Sequence, residues 1–223
     1  MSELSPDTPI NPAPKPGESF QQINLNTATA RVPEHVAGGV FASNVMSLAG
    51  PQEFILDFIQ GLAKPAQVTA RVVLPHAVME RLVNALKEQY AAYCRAFGAP
   101  PPMPKPPGRP LSIEEVYQNV KVPEGVQSGA YANGFHITVS PAEWSLDFVT
   151  KFYPHSAVAA RVHIAAARMP SMIDSLSGLV ANMHRQRAAQ QAQNSGMLPG
   201  GGPPPSDDPP APPADPRLNN PGE

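Results

Sequence analysis

Pro51-Gln52-Glu53-Phe54-Ile55-Leu56-Asp57-Phe58 returns as Pro141-Ala142-Glu143-Trp144-Ser145-Leu146-Asp147-Phe148, 90 positions later. The same offset aligns Val68-Thr69-Ala70-Arg71-Val72-Val73-Leu74 with Val158-Ala159-Ala160-Arg161-Val162-His163-Ile164 without a gap. Repetition in a constant frame predicts two copies of one small module. A module of roughly 60 residues is near the lower limit for a self-sufficient core, so the two are expected to pack on each other or on another subunit.

Within each module the hydrophobic period changes once. Tyr131, Asn133, Phe135, Ile137 and Val139 alternate and predict a first strand, and Gly50-Pro51 and Ser140-Pro141 then supply turns. Phe54, Leu56 and Phe58 alternate in copy one, as do Trp144, Leu146 and Phe148 in copy two, which gives a second strand with an aromatic-aliphatic core face. Val68, Ala70, Val72 and Leu74, with Val158, Ala160, Val162 and Ile164, form one face of a third strand. Small Ala70 and Ala160 leave room for a close helix.

The period then becomes helical. Val78, Leu82, Leu86, Gln89, Tyr93 and Phe97 share one side of a helix from about Pro75 to Ala96, with Pro75 an early helical residue. Met169, Met172, Ile173, Leu176, Leu179, Val180 and Met183 do the same in copy two, a methionine-rich stripe read as core. The expected fold is therefore α+β: two β-β-β-α modules, each a small antiparallel sheet covered by one helix, paired as a pseudo-dimer.

Proline, 30 of 223 residues, marks the boundaries. Residues 1–36 read as a disordered N-terminal segment with one short extended stretch near Ile23-Asn24-Leu25, 37–98 as module 1, and 128–190 as module 2. Residues 99–127 form a linker with a stiff extended run at Pro100–Pro107, followed by a short helix to about Asn119 that opens on the capping-box spacing of Ser112 and Glu115. Residues 191–223 read as a disordered Pro/Gly-rich tail, although the polar run Arg185–Asn194 can extend the preceding helix.

The charged groups kept in both copies are Asp57 with Arg71 and Asp147 with Arg161. On the strand assignment they point away from the aromatic stripe, as cross-strand pairs worth about 0.2–1 kcal/mol, or as an exposed contact surface for a partner or an anion. Glu53 and Asp57, like Glu143 and Asp147, lie four apart on a strand, about 13 Å along its axis, too far for a coupled acid pair. The six histidines show neither helical metal-pair spacing nor a Cys/His cluster, and His136 and His163 read as solvated strand residues. No phosphate-cradling glycine loop, nucleophile elbow, kinase motif or dinucleotide motif is present. No catalytic, cofactor-binding or metal residue is expected, and the cofactor expectation is none.

A net charge of −2 with dispersed basic residues disfavours nucleic acid. The single cysteine, Cys94, excludes an intramolecular disulfide framework and reads as a passive helix residue. With no apolar leader and no run of spanning length, the expectation is a cytoplasmic protein with no membrane partner.

The run Tyr131-Ala132-Asn133-Gly134-Phe135, Ser140-Pro141-Ala142-Glu143-Trp144, Leu146-Asp147-Phe148 and Ala160-Arg161-Val162 resembles a bacterial and archaeal family of unknown function, DUF3467. Phe41-Ala42-Ser43, Phe54-Ile55-Leu56-Asp57-Phe58 and Arg71-Val72-Val73-Leu74 carry the same resemblance in copy one. Family members are usually single modules, often with Ser-Pro at the helix start. Copy one keeps the proline in Leu74-Pro75, whereas copy two has Ile164-Ala165, and that departure falls on the first helical turn of copy two. The resemblance implies two tandem copies fused as a pseudo-dimer, and supplies no activity.

Three functional readings follow. The first is a non-enzymatic protein–protein interaction or assembly module, pairing through sheet edges or helices, with proline-rich tails that reach a protein partner. The second is a holdase chaperone for unfolded clients, by analogy of topology with the export chaperone SecB. The third is small-molecule binding or enzyme activity at the interface between modules.

Overall fold

The computed structural model describes residues 30–104, 109, 111–152 and 154–195. The extended stretch at 23–25, residues 105–107 of the expected stiff spacer and the tail from 196 onward lie outside the described residues. The described residues up to Met183 form one compact unit, and those from His184 a second, which continues the C-terminal helix to Ser195.

Among the described residues, fourteen helices and strands follow one another with a short turn between the last two: α1 (Glu34–Ala37), β1 (Val40–Ala42), β2 (Asn44–Ala49), β3 (Glu53–Gln60), β4 (Ala66–Pro75), α2 (His76–Phe97), α3 (Ile113–Asn119), β5 (Val120–Lys121), α4 (Glu124–Gln127), β6 (Ala130–Tyr131), β7 (Gly134–Val139), β8 (Glu143–Phe152), β9 (His155–Ala165) and α5 (Met169–Ser195). That turn is a 3-10 turn, Ala166–Arg168, between β9 and α5. The fold is α+β. In the first sheet β2 pairs with β3 and β3 with β4, all antiparallel; in the second β7, β8 and β9 repeat that order. The register repeats as well, with Asp57 opposite Arg71 and Asp147 opposite Arg161.

The two sheets exchange edges. β1 runs parallel to β9, with Val40 opposite Val162, while β6 runs parallel to β4, with Ala130 opposite Val72. One residue later the chain leaves that edge: the Ser43 N–H donates to the Ile59 carbonyl, and Asn133 donates to Val149, as β2 and β7 enter the opposite edges of the sheets. The expected first strand, Tyr131 to Val139, is thus two strands serving different sheets. Tyr131 lies in the exchanged part, 43% exposed, whereas Phe135, Ile137 and Val139 pack against the core. Each bent strand therefore pairs with one sheet through its first part and with the other through its second, which covers part of the edge of β4 and of β9 that an isolated module would expose.

A bulge accompanies each crossing. The β3–β4 register shifts between Phe58 and Ile59, and the β8–β9 register between Phe148 and Val149. Consecutive residues therefore both turn inward, and all four are buried. The Ser43 hydroxyl accepts from the Gly61 N–H at 2.8 Å, and the Asn133 side-chain oxygen accepts from Lys151 at 2.7 Å, so a short polar residue ties each crossing to the bulged strand.

The expected core faces are buried. Phe54, Leu56, Phe58, Trp144, Leu146 and Phe148 are at most 2% exposed, and Phe58 and Phe148 meet with ring centroids 5.5 Å apart. The methionine stripe of α5 enters the same core through Met169, Met172 and Met183. Three details differ from expectation. Pro75 ends β4 and stands before α2 with extended geometry, not inside the helix. Gln89 and Phe97 are exposed, and Met79 and Val83 take their places in the buried stripe. α2 packs on β7 as well as on β3 and β4, and the Tyr93 hydroxyl donates to the Pro141 carbonyl at 2.8 Å, so this helix covers its own sheet and also reaches the second module. In copy two, where Ala165 replaces the proline, the 3-10 turn precedes α5.

Ordered structure also begins earlier than the boundaries at 36 and 127. Arg31 bridges Ala157, β5 pairs Lys121 with Gln67, and α1 and α4 follow, each preceded by a proline. These are residues expected in the disordered N-terminal segment and in the linker. A periodicity search misses them because four-residue helices and two-residue strands hold no full period. The offset itself was the available signal, since Val32-Pro33-Glu34 matches Val122-Pro123-Glu124.

Edge exchange predicts the behaviour of half the chain. A fragment of residues 1–104 retains β1 but lacks β9, and β4 of a second copy offers the equivalent edge. Sedimentation should find it as a dimer that unfolds in a concentration-dependent manner. A folded monomer would show that the exchange is dispensable.

Candidate functional site

The site grows from the crossing segments. Between the bridge at Ala157 and the pairing at Val162, nine steps of the chain, from Arg31 to Val40, run beside five of β9. The excess coils into α1. Lys121 to Ala130 does the same beside β4, between Gln67 and Val72, and coils into α4. Each coil leaves through a glycine in the left-handed region, Gly39 at φ 63° and Gly129 at φ 71°. A Cβ at Gly39 would come 2.5 Å from His163 Nε2 and 2.8 Å from Arg161 Cγ, so both backbone angle and packing require glycine there.

Arg71 and Arg161 hold these segments down. Arg71 Nε and Nη2 donate to the two Asp57 carboxylate oxygens, both at 2.7 Å, and Nη1 donates to the Gln127 carbonyl of α4 at 3.0 Å. Arg161 donates to Asp147 at 2.7 and 2.8 Å, and to the Ala37 carbonyl of α1 at 3.0 Å. Each guanidinium therefore joins two strands of one sheet to the segment arriving from the other. Bidentate geometry makes this stronger than an ordinary surface pair. Hydrogen bonding to the carboxylate raises both arginines further above their already high ordinary range.

The two clamps differ in enclosure. The Asp57 side chain is 1% exposed and that of Asp147 15%. Tyr117, on α3, donates its hydroxyl to Asp57 and covers it. Burial first, and then that hydrogen bond, push the Tyr117 hydroxyl up to about 12. The Asp–Arg pairs lie on the face away from the aromatic stripe, but Asp57 is enclosed there, not solvated. Nothing in the period of the sequence pointed to Tyr117, because its partner is 60 residues away.

Between the two crossings lies a cleft of about 370 Å³. Its fourteen lining residues fall into seven pairs separated by 90 positions, among them Gly39 with Gly129, Thr69 with Ala159 and Arg71 with Arg161. The Arg71 and Arg161 side chains retain 19% and 24% exposure. Among the described residues no aspartate or glutamate lines the cleft. The clamping carboxylates stand behind the guanidinium groups, on β3 and β8.

The remaining candidates do not converge. Glu53 accepts from the neighbouring Gln52 N–H at 3.3 Å. His35 lines the cleft, His136 is exposed opposite Asp147, and His155 is exposed. His163 departs from the solvated reading: its Nδ1 is buried without a hydrogen-bond partner and its ring lies against Gly39. His76 is 7% exposed against the Phe54 ring, its Nε2 3.1 Å from the Gly50 carbonyl. Among the described residues no three His, Cys, Asp or Glu side chains form a metal-binding group, and no helix is long and apolar enough to cross a membrane.

The unequal enclosure has a measurable consequence. Asp57→Asn leaves Arg71 short of its counter-charge in a buried setting and should cost about 3–5 kcal/mol in urea unfolding. Asp147→Asn, at the more solvated clamp, should cost about 1.5–3 kcal/mol. Equal losses would contradict the asymmetry. Because the Tyr117 pKa is about 12 in the folded protein and about 10 when unfolded, the unfolded state loses its proton first as pH rises. The stabilisation is complete below about pH 10 and declines toward pH 12. Tyr117→Phe should remove that component, so wild type and variant profiles converge across this interval.

Comparison with known proteins adds a family match over part of the chain and no activity. No curated protein matches the chain. Residues 8–100, which contain the first module and its crossing segment, match the family described as Protein of unknown function (DUF3467).

Proposed function

We propose that the protein is a non-enzymatic assembly module of the bacterial cytoplasm, a fused pseudo-dimer of two DUF3467-type copies that presents a matched pair of apolar contacts to a protein partner. The observation that carries this reading is Leu62 and Phe152. They occupy equivalent positions, 90 residues apart, Leu62 in the β3–β4 connection and Phe152 as the last residue of β8 at the β8–β9 turn, and are 75% and 55% exposed. A large apolar side chain at the tip of each hairpin contributes nothing to the core, and aromatic side chains such as Phe152 are enriched at the centre of recognition surfaces. Phe152 also stacks on exposed Tyr131, with ring centroids 5.8 Å apart and planes 2° from parallel, so in copy two the contact is an aromatic pair. Aromatic side chains of this kind dominate binding energy at protein interfaces.

Both residues are accessible, so they can be changed without opening the core. Leu62→Ser combined with Phe152→Ser should leave the thermal midpoint within a few degrees while abolishing retention of a stoichiometric protein partner in affinity purification with mass spectrometry. Undiminished retention by the double variant would overturn the reading, as would failure of the wild-type chain to retain any partner. Broad suppression of aggregation of unrelated unfolded proteins would instead favour the holdase alternative.

A further inference from the structure

We infer that the cleft between the crossing segments is a binding site for a small organic anion, a carboxylate or phosphate ester with an apolar body. Three observations converge on it. The first is size: about 370 Å³ lies within the range of roughly 300–1,000 Å³ that small-molecule sites occupy.

The second is charge. Among the described residues, the ionisable side chains that line the cleft are Arg71, Arg161 and His35, with no carboxylate among them. Each arginine commits Nε, one Nη2 proton and one Nη1 proton to its aspartate and to the carbonyl of a crossing segment. A guanidinium has five N–H donors, so each retains donor capacity, and its remaining exposure is on a surface that the cleft borders. The carboxylates fix the orientation of both forks in advance, which removes the ordering cost an unsupported arginine would incur on binding. Val36, Val40 and Val126 complete an apolar wall that would accept the body of the ligand.

The third is backbone. Residues 68–71 of β4, between its pairings with β5 and β6, have no strand partner on the outer edge among the described residues. The corresponding stretch of β9 lies between the Ala157 bridge and Val162. Both borders of the cleft therefore present strand edge not consumed by the ladder, a further source of hydrogen bonds for a ligand. The site uses groups that the hairpin contacts do not touch, so it stands or falls independently of them.

The test uses the full chain with phthalate and phenyl phosphate as probes, and neutral phthalamide and phenol as their controls. Isothermal titration and thermal unfolding should show binding and a raised midpoint with at least one anion and neither control; the responding anion identifies the preferred head group. Gly125 lines the cleft on α4, and a Cβ there meets nothing within 4 Å, so Gly125→Trp should place an indole in the opening without displacing the fold. His35→Trp offers the same obstruction from the equivalent position on α1. Each variant should keep the ligand-free midpoint and weaken anion binding by roughly tenfold or more. No response to either anion, an equal response to the neutral controls, or undiminished binding by a folded tryptophan variant would each overturn the proposal.

Discussion

The structure depends on where the outer edges of β4 and β9 find their partners. A three-stranded antiparallel sheet with one helix leaves two edges and part of a face open, and a module of this length has too little interior to compensate. Each edge is met by a strand that belongs, by sequence, to the other half of the protein. That strand continues at once into its own sheet, so backbone pairing and core formation cannot be separated. The halves share one core, in which Phe58 touches Phe148 and Tyr93 lies 6.0 Å from Trp144.

The repeated Asp–Arg pairs take their meaning from the same geometry. As solvated cross-strand pairs they would contribute a few tenths of a kcal/mol to register. In the structure each arginine also holds the carbonyl at the end of a crossing coil, at Gln127 or Ala37, so it reads whether the other half has arrived. A lysine could carry the charge but not satisfy two carboxylate oxygens and a carbonyl in one plane. The departure from strict symmetry is at Asp57, where Tyr117 closes over the carboxylate and makes one clamp more dependent on its partners than the other.

The parts legible in the sequence were those with a period longer than their noise. Phe54, Leu56 and Phe58, their counterparts from Trp144 to Phe148, and the two helical stripes each repeat often enough to indicate a face, and Asp57 and Arg71 were visible because a second copy preserved them. The crossings were not legible by period. Ala42–Ser43 and Ala132–Asn133 sit inside continuous strand-like runs, and an alternating pattern does not disclose that the strand changes sheets midway. The cleft was not legible for a related reason: its walls are alanines, glycines and arginine stems whose proximity is created by the exchange. Proximity between positions 39 and 161, or 71 and 127, follows from topology, which local pattern does not encode.

The cleft is the geometric remainder of the crossing. A helical residue advances about 1.5 Å and a strand residue about 3.3 Å, so a segment with nine steps to place beside five cannot remain paired throughout. It pairs at its two ends and coils between them, lifting away from the strand where Arg71 or Arg161 stands. Had the segment been shorter it would have completed the ladder and buried the arginine under backbone. Its length instead leaves two oriented guanidinium groups facing a common space, with their counter-ions on the far side. The residues that fasten the two halves together are for that reason also the ones best placed to meet a ligand between them.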